Sequence, residues 1–272
     1  ENAEVIDQIL ALKYEKSKLL GFSSYAQYAL ETRDASHEED VITFLNELAD
    51  AALPQAKNEL AELKAFALKT DGIENLEGYD VGYYSEKLKK EKFDFDDTMT
   101  KPYFVQEKVL EGLLYIVSEL FDVTFEPADV PTWHACVKPF DIFEEGKLSG
   151  RIYFDLEARK EKRGGAWMND WETHYVDSKG ETHLPSAFIV CNFSPTTQKI
   201  PSLLRHDDVV TLFHEMGHAI HHLFGKCTER SVSGINGVAW DVVEFPSQFL
   251  ENFAYEAAIL KRFGFHYETG EP

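Results

Sequence analysis

Residues 206–224 read HDDVVTLFHEMGHAIHHLF, and the spacing of side chains in this stretch predicts one amphipathic helix. At about 100° per residue, Leu212, Phe213, Met216, Ala219, Ile220 and Leu223 fill one side, while His214, Glu215, His218, His221 and His222 gather on the other. The apolar side should pack on a core that the polar cluster faces away from. Within that cluster, residues 214–218 form an HExxH motif. Histidines four apart on a helix differ by about 40° of rotation and about 6 Å of rise, so both imidazoles reach one ion. Glu215, offset by about 100°, stays off the ligand axis but near the ion's open position, where a carboxylate can take a proton from water. A solvated face would also explain the polarity, but such faces seldom concentrate histidines, and metal binding is the expectation.

A third ligand must come from elsewhere in the chain. The HExxHxxGxxH extension fails, because His221 stands at its Gly position and Phe224 at its last His position. Residues 240–256, WDVVEFPSQFLENFAYE, lie in a stretch read as one helix from about 241 to 262. Such a helix places Asp241, Glu244, Gln248, Glu251 and Tyr255 on one face, with Val242, Phe249, Leu250 and Phe253 turned away. Periodicity alone does not choose among Asp241, Glu244 and Glu251. Residues 226–239, with Ser231, Ser233, Gly234 and Gly237, read as a flexible connection. It either closes on a ligand or lets the two helices pack side by side.

Upstream, residues 1–121 read as helical. Val5, Ile9, Leu12 and Leu19 recur at helical spacing, as do Val41, Phe44, Leu45, Leu48, Leu60, Leu63 and Phe66, with Pro54 expected to kink or split that segment. A further stripe, Val105, Val109, Leu113, Ile116, Val117 and Leu120, follows Pro102. From 122 to 272 the expectation is a small sheet plus the metal-binding helices. HACVKPFDIFEEGKLSGRIYFDLEAR (134–159) reads as a hairpin turning at Glu145-Gly146. A second pair, near 173–176 and 186–193, flanks the turn DSKG (177–180), and Gly164 and Gly165 lie between the pairs, where they allow another backbone to come close.

Of 272 residues, 48 are acidic and 27 basic, a formal charge of −21. A surface so acidic repels phosphate backbones and anionic membranes, which argues against nucleic-acid and membrane partners. It reads as a solvated surface, or as a bias toward cationic peptides. With 44% hydrophobic and 13% aromatic residues the chain belongs to the folded class. No stretch approaches the roughly 18 apolar residues of a membrane span, and ENAEVIDQIL lacks the basic start of a secretion signal, so cytoplasm is the expected compartment. Cys136, Cys191 and Cys227 are odd in number and widely spaced, as expected of reduced, buried packing residues.

HEMGHAIHHLF (214–224) and SVSGINGVAWDVVEFPSQFLENF (231–253) resemble the thimet oligopeptidase family of zinc metallopeptidases, especially its bacterial oligopeptidase A branch. The likeness extends through YYSEKLK, IYFDLEARKEKRGGAWMND, FIVCNF and HDDVVTLF, and so covers nearly the whole chain. It implies a mainly α, elongated fold of the neurolysin and thimet type, with a small β-sheet beside the zinc-binding helices and a deep channel that admits short peptides. It implies one zinc ion per chain, held by His214, His218 and Glu244, with Glu215 as the general base. It also implies that Gly165 and Ala166 belong to an edge strand pairing with the substrate backbone. Asp241 and Glu251 are then candidate acceptors for the outer N–H of a ligating imidazole. In the family a Tyr and a His from a later segment contact the reacting group, and neither that segment nor the family's N-terminal helical part has a match here. The chain thus looks like a central piece that requires segments on both sides. The expected function is a zinc-dependent endopeptidase hydrolysing short peptides. The alternative is a non-catalytic zinc-containing binding or scaffold module; a purely structural helical domain would hold no stoichiometric zinc.

Overall fold

The computed structural model describes residues 2–96 and 98–272, which fall into two compact units, Glu1–Asp96 and Asp97–Pro272. The first unit is helical: α1 (Ala3–Leu19), α2 (Tyr25–Leu30), α3 (Glu38–Asp71) and α4 (Val81–Phe93). Helix α3 starts where Asp40 accepts the backbone N–H of His37 and stops at Gly72, whose φ is 71°. It runs unbroken through Pro54, so the expected split does not occur. Proline there costs one hydrogen bond and crowds the carbonyl of Asp50; both residues are exposed, and water can satisfy the freed oxygen. The apolar cluster of this unit is Leu63, Phe66, Ala67 and Tyr84.

In the second unit α5 (Gln106–Phe121) buries Val109, Leu113, Ile116 and Val117 from the expected stripe. Strands begin only at Val123, yet the compact units divide at Asp96–Asp97, because α5 packs against strand β1 (Val123–Pro127) and helix α8 (Ala257–Phe263). A five-stranded sheet follows. Its other strands are β2 (Lys138–Glu144), β3 (Lys147–Glu157), β4 (Trp167–Glu172) and β7 (Ser186–Phe193), in the order β1-β2-β3-β7-β4. β3 and β7 run parallel and the other neighbours antiparallel. The β2–β3 hairpin turns at Glu145-Gly146, both with positive φ, as a type I′ turn requires.

The second pairing departs from the expectation. The turn DSKG closes only a two-residue ladder between β5 (Tyr175–Val176) and β6 (Thr182–His183), while β7 joins the main sheet between β3 and β4. SAFIVCNF is apolar on both faces, which suits a central strand with neighbours on each side better than one arm of an isolated hairpin. Ile152, Phe154, Ala187, Ile189 and Cys191 from the sheet join Val209, Leu212, Phe213, Met216, Ala219 and Leu223 of helix α6 (His206–Leu223) in the main core. Of the cysteines only Cys191 is buried; Cys136 is half-buried and Cys227 exposed, and all three are free thiols. No helix among the described residues is long and apolar enough to cross a membrane.

A buried charge cluster ties β3 to the loop that leads into β4. Asp155 accepts hydrogen bonds from Arg159 Nη1 (2.6 Å) and Nη2 (2.8 Å), Lys162 Nζ (2.9 Å) and Trp133 Nε1 (2.8 Å). Burial by itself raises the Asp155 carboxyl, but the hydrogen bonds from Arg159, Trp133 and Lys162 outweigh it and hold the group well below the usual carboxylate range. A depressed native pKa contributes stability that is present above the unfolded value of about 3.9 and is lost as pH falls toward the native value. Asp155→Ala leaves the Lys162 ammonium, 4% exposed, without its counter-charge. It should lower unfolding free energy by about 3–5 kcal/mol at neutral pH, as removal of one partner of a buried pair does. Urea titration checks this, with Glu111→Ala, in the exposed Lys108–Glu111 pair, expected to leave stability almost unchanged.

Candidate metal centre

Helix α6 rests its apolar side on the sheet, and this presents His214 and His218 one turn apart on another side, their ring centroids 4.9 Å apart. Glu215 is also on α6 but is 6% exposed, tucked toward β4, where the backbone of Met168 hydrogen-bonds its carboxylate. Burial pushes the Glu215 carboxyl up from its ordinary value, against the opposing pull of His214 and that backbone contact. Burial pushes the His218 imidazole down, against the opposing pull of Glu244, and so favours the neutral ring, the form that can donate a lone pair.

The helix expected over 241–262 is broken into three pieces: α7 (Phe245–Glu251), a 3-10 turn (Asn252–Tyr255) and α8. Pro246 lies in the first turn of α7, where its missing N–H costs nothing and its fixed φ favours a helix start. Glu244 is therefore the residue that caps α7, and Ser247 Oγ holds it, 2.9 Å from both its backbone carbonyl and its Oε2. Asp241 falls outside the helix, exposed in the preceding turn, and among the described residues it makes no hydrogen bond or ion pair with either motif histidine.

The structure brings together His214, His218 and Glu244, whose ligand atoms all lie within 4.8 Å of one another. Glu244 Oε2 stands 3.3 Å from His214 Nε2 and 3.1 Å from His218 Nε2. Ligands about 2.1 Å from a tetrahedral ion are separated by about 3.4 Å, so these spacings suit a zinc-sized centre. The hydrogen-bond pattern points the same way. His214 Nδ1 is 2.6 Å from Glu251 Oε1, so the ring donates there and turns a bare Nε2 toward a carboxylate oxygen. Two lone pairs facing each other call for a cation between them or a second proton on the imidazole. The Glu244 side chain is 52% exposed against 26% and 16% for the two histidines, so the centre opens toward solvent on the carboxylate side.

Gly165 and Ala166 immediately precede β4, one of the two edge strands of the sheet, and a side chain at Gly165 would meet open space. The Gly165 carbonyl accepts the Asn192 amide at 2.7 Å. His221 and His222 do not enter the ligand set: burial pushes the His221 imidazole down, and its Nδ1 has no hydrogen-bond partner among the described residues, while His222 is fully buried. Two supporting residues escaped sequence reasoning. A Cβ on Gly217 would lie 2.4 Å from Pro246 O and from Ser247 Cα, so α6 and α7 meet backbone to backbone at the motif's own glycine. A glycine inside a strongly periodic helix was the available signal, since it costs about 1 kcal/mol against alanine and asks for a packing reason. Ser247 gave none.

The model of a peptidase family, Peptidase family M3, matches residues 1–272. The chain is 43% identical to oligopeptidase A of Salmonella typhimurium over all of its own length and 40% of that protein's. It is 35% identical to a dipeptidyl carboxypeptidase of Escherichia coli, over 98% of the chain and 39% of the relative. To saccharolysin of Saccharomyces cerevisiae it is 33% identical, over 100% and 40%. The chain thus spans about two fifths of the length of these curated relatives.

Proposed function

The chain belongs to peptidase family M3, and from that premise we propose that it carries the metal centre of a zinc-dependent endopeptidase acting on short peptides in the cytoplasm. The observation that carries this reading is the convergence of His214 Nε2 and His218 Nε2 on one Glu244 oxygen, with Glu215 on the same helix and its carboxylate within electrostatic reach of His214 and Glu244. His214, His218 and Glu244 would hold one zinc ion. Bound there, zinc supplies a Lewis acid that polarises a carbonyl and makes water acidic near neutral pH.

The chain's own residues then do the rest. Glu251 fixes the ring of His214 through Nδ1. Glu215, raised by burial toward the working range of a general base, takes the proton of the attacking water and hands it to the leaving amine. Gly165, Ala166 and the free edge of β4 offer backbone groups along which an extended peptide can lie. Segments that the longer relatives possess complete the grip on substrate.

Glu244→Ala should weaken zinc binding by more than the 10–100-fold typical of losing a supporting group, whereas Asp241→Ala should leave it unchanged. Competition with a chromophoric chelator measures both, and the reverse order would reassign the third ligand. The function itself is tested by cleavage of a quenched fluorescent peptide by a longer protein that contains this chain. Cleavage abolished by chelator and restored by zinc is expected; stoichiometric zinc without cleavage would favour a binding module.

A further inference from the structure

His222 is a fully buried histidine in the last turn of α6 that the site described above does not use. Its Nε2 lies 2.9 Å from the carbonyl oxygen of Glu172, at the end of edge strand β4. Its Nδ1 lies 3.4 Å from the backbone N of Ile235, in the segment that joins α6 to Glu244. One neutral tautomer satisfies both: Nε2–H donates to Glu172 and bare Nδ1 accepts from Ile235. The packing around the ring is tight. A Cβ on Gly234, whose φ is +63°, would fall 2.3 Å from His222 Nδ1, so only glycine lets the segment come this near.

Residues 226–239, read from sequence as a flexible connection, are in fact fastened along much of their length. Asn236 Nδ2 donates to Thr173 Oγ1 at 3.1 Å, Val176 N–H to the Thr228 carbonyl at 3.1 Å, and His174 Nδ1 lies 2.9 Å from the Cys227 carbonyl. From Ile235 the chain reaches Glu244 through short turns closed by the backbone bonds Asn236 N to Ser233 O, Val242 N to Ala239 O and Phe245 N to Val242 O. The turns at 233–236, 239–242 and 242–245 shorten the path from Ile235 to Glu244, and Glu172 is itself the last residue of β4, so the two backbone groups that His222 holds belong to the segment leading to Glu244 and to the edge strand.

We propose that His222 is a positioning residue that sets Glu244 and edge strand β4 against the helix bearing His214 and His218. The part concerning Glu244 rests on the reading of His214, His218 and Glu244 as ligands. His222 touches neither metal nor substrate; it acts through the two segments it clamps.

The test compares His222→Leu, which fills the space without polar contacts, with His222→Gln, whose amide N–H can donate to Glu172 and whose oxygen can accept from Ile235. Two readouts on the full chain are needed. One is the rate of tryptic cleavage after Lys226 and Arg230, both exposed, in metal-free protein. The other is affinity for Co²⁺ and the visible spectrum of the bound ion. His222→Leu should speed cleavage at those two bonds and lower Co²⁺ affinity about 10–100-fold with an altered spectrum, and His222→Gln should restore most of both. Wild-type proteolysis and wild-type Co²⁺ affinity in His222→Leu would overturn the proposal. Should His222→Leu fail to fold, Gly234→Ala displaces the same segment without altering α6, and unchanged affinity and proteolysis there would equally overturn it. If the wild-type chain binds no Co²⁺, the ligand reading falls, while the tryptic comparison still decides whether His222 clamps the segment.

Discussion

Glu215→Gln is expected to reduce peptide cleavage by about 10²–10⁴-fold while leaving zinc bound, the range by which a positioned general base accelerates such reactions. The glutamine keeps the size of the side chain, and its one amide oxygen can still accept from the Met168 backbone, so the surroundings of this residue, 6% exposed, need not rearrange. What disappears is the ability to accept a proton. Glu215 is not one of the three groups whose ligand atoms converge, so metal affinity should stay at the wild-type level. Turnover by the variant within a few-fold of wild type, in a longer protein that cleaves peptides, would remove Glu215 from the role of base.

The second large effect is expected at a residue that carries no chemistry. Gly217→Ala would gain about 1 kcal/mol in helix propensity if α6 stood alone. Its Cβ would instead sit 2.4 Å from Pro246 O and Ser247 Cα, and both contacts are backbone, with no side-chain rotation available to relieve them. Relief requires α7 to move away by about 1 Å, an overpacking cost of roughly 1–3 kcal/mol. Glu244 caps α7 and is bonded to Ser247, so the Glu244 carboxylate travels with the displaced helix. Zinc affinity should therefore fall by at least the 10–100-fold seen when a supporting group is lost, while circular dichroism reports a folded, helical chain. An alanine variant that holds zinc as tightly as wild type would show that the α6–α7 contact does not set the ligand geometry.

The contrast between these two residues marks what the sequence made legible. His214, Glu215, His218 and the apolar side of α6 were readable because a long, strongly periodic segment fixes which side chains share a face. Glu244 was not separable from Asp241 and Glu251 on the same argument. The premise of one continuous helix was wrong, and Pro246 starts a short α7 that leaves Asp241 outside it. The contact of Glu251 with His214, 37 residues away, depends on how two helices cross, which no local pattern encodes. The β2–β3 hairpin was legible from its two-residue turn, whereas the parallel partner of β7 is a tertiary choice. Lys162, Arg159 and Asp155 look in sequence like any run of surface charges, and only packing reveals that the carboxylate and the ammonium are buried.

Whether the three converging groups hold a metal is tested most directly by zinc content per chain after equilibrium with buffered zinc, for the wild type and for Glu244→Ala. One zinc per wild-type chain and a large loss in the variant are expected. A wild-type chain that takes up no stoichiometric zinc, or a variant that binds it equally well, would contradict the assignment of His214, His218 and Glu244 as a metal centre.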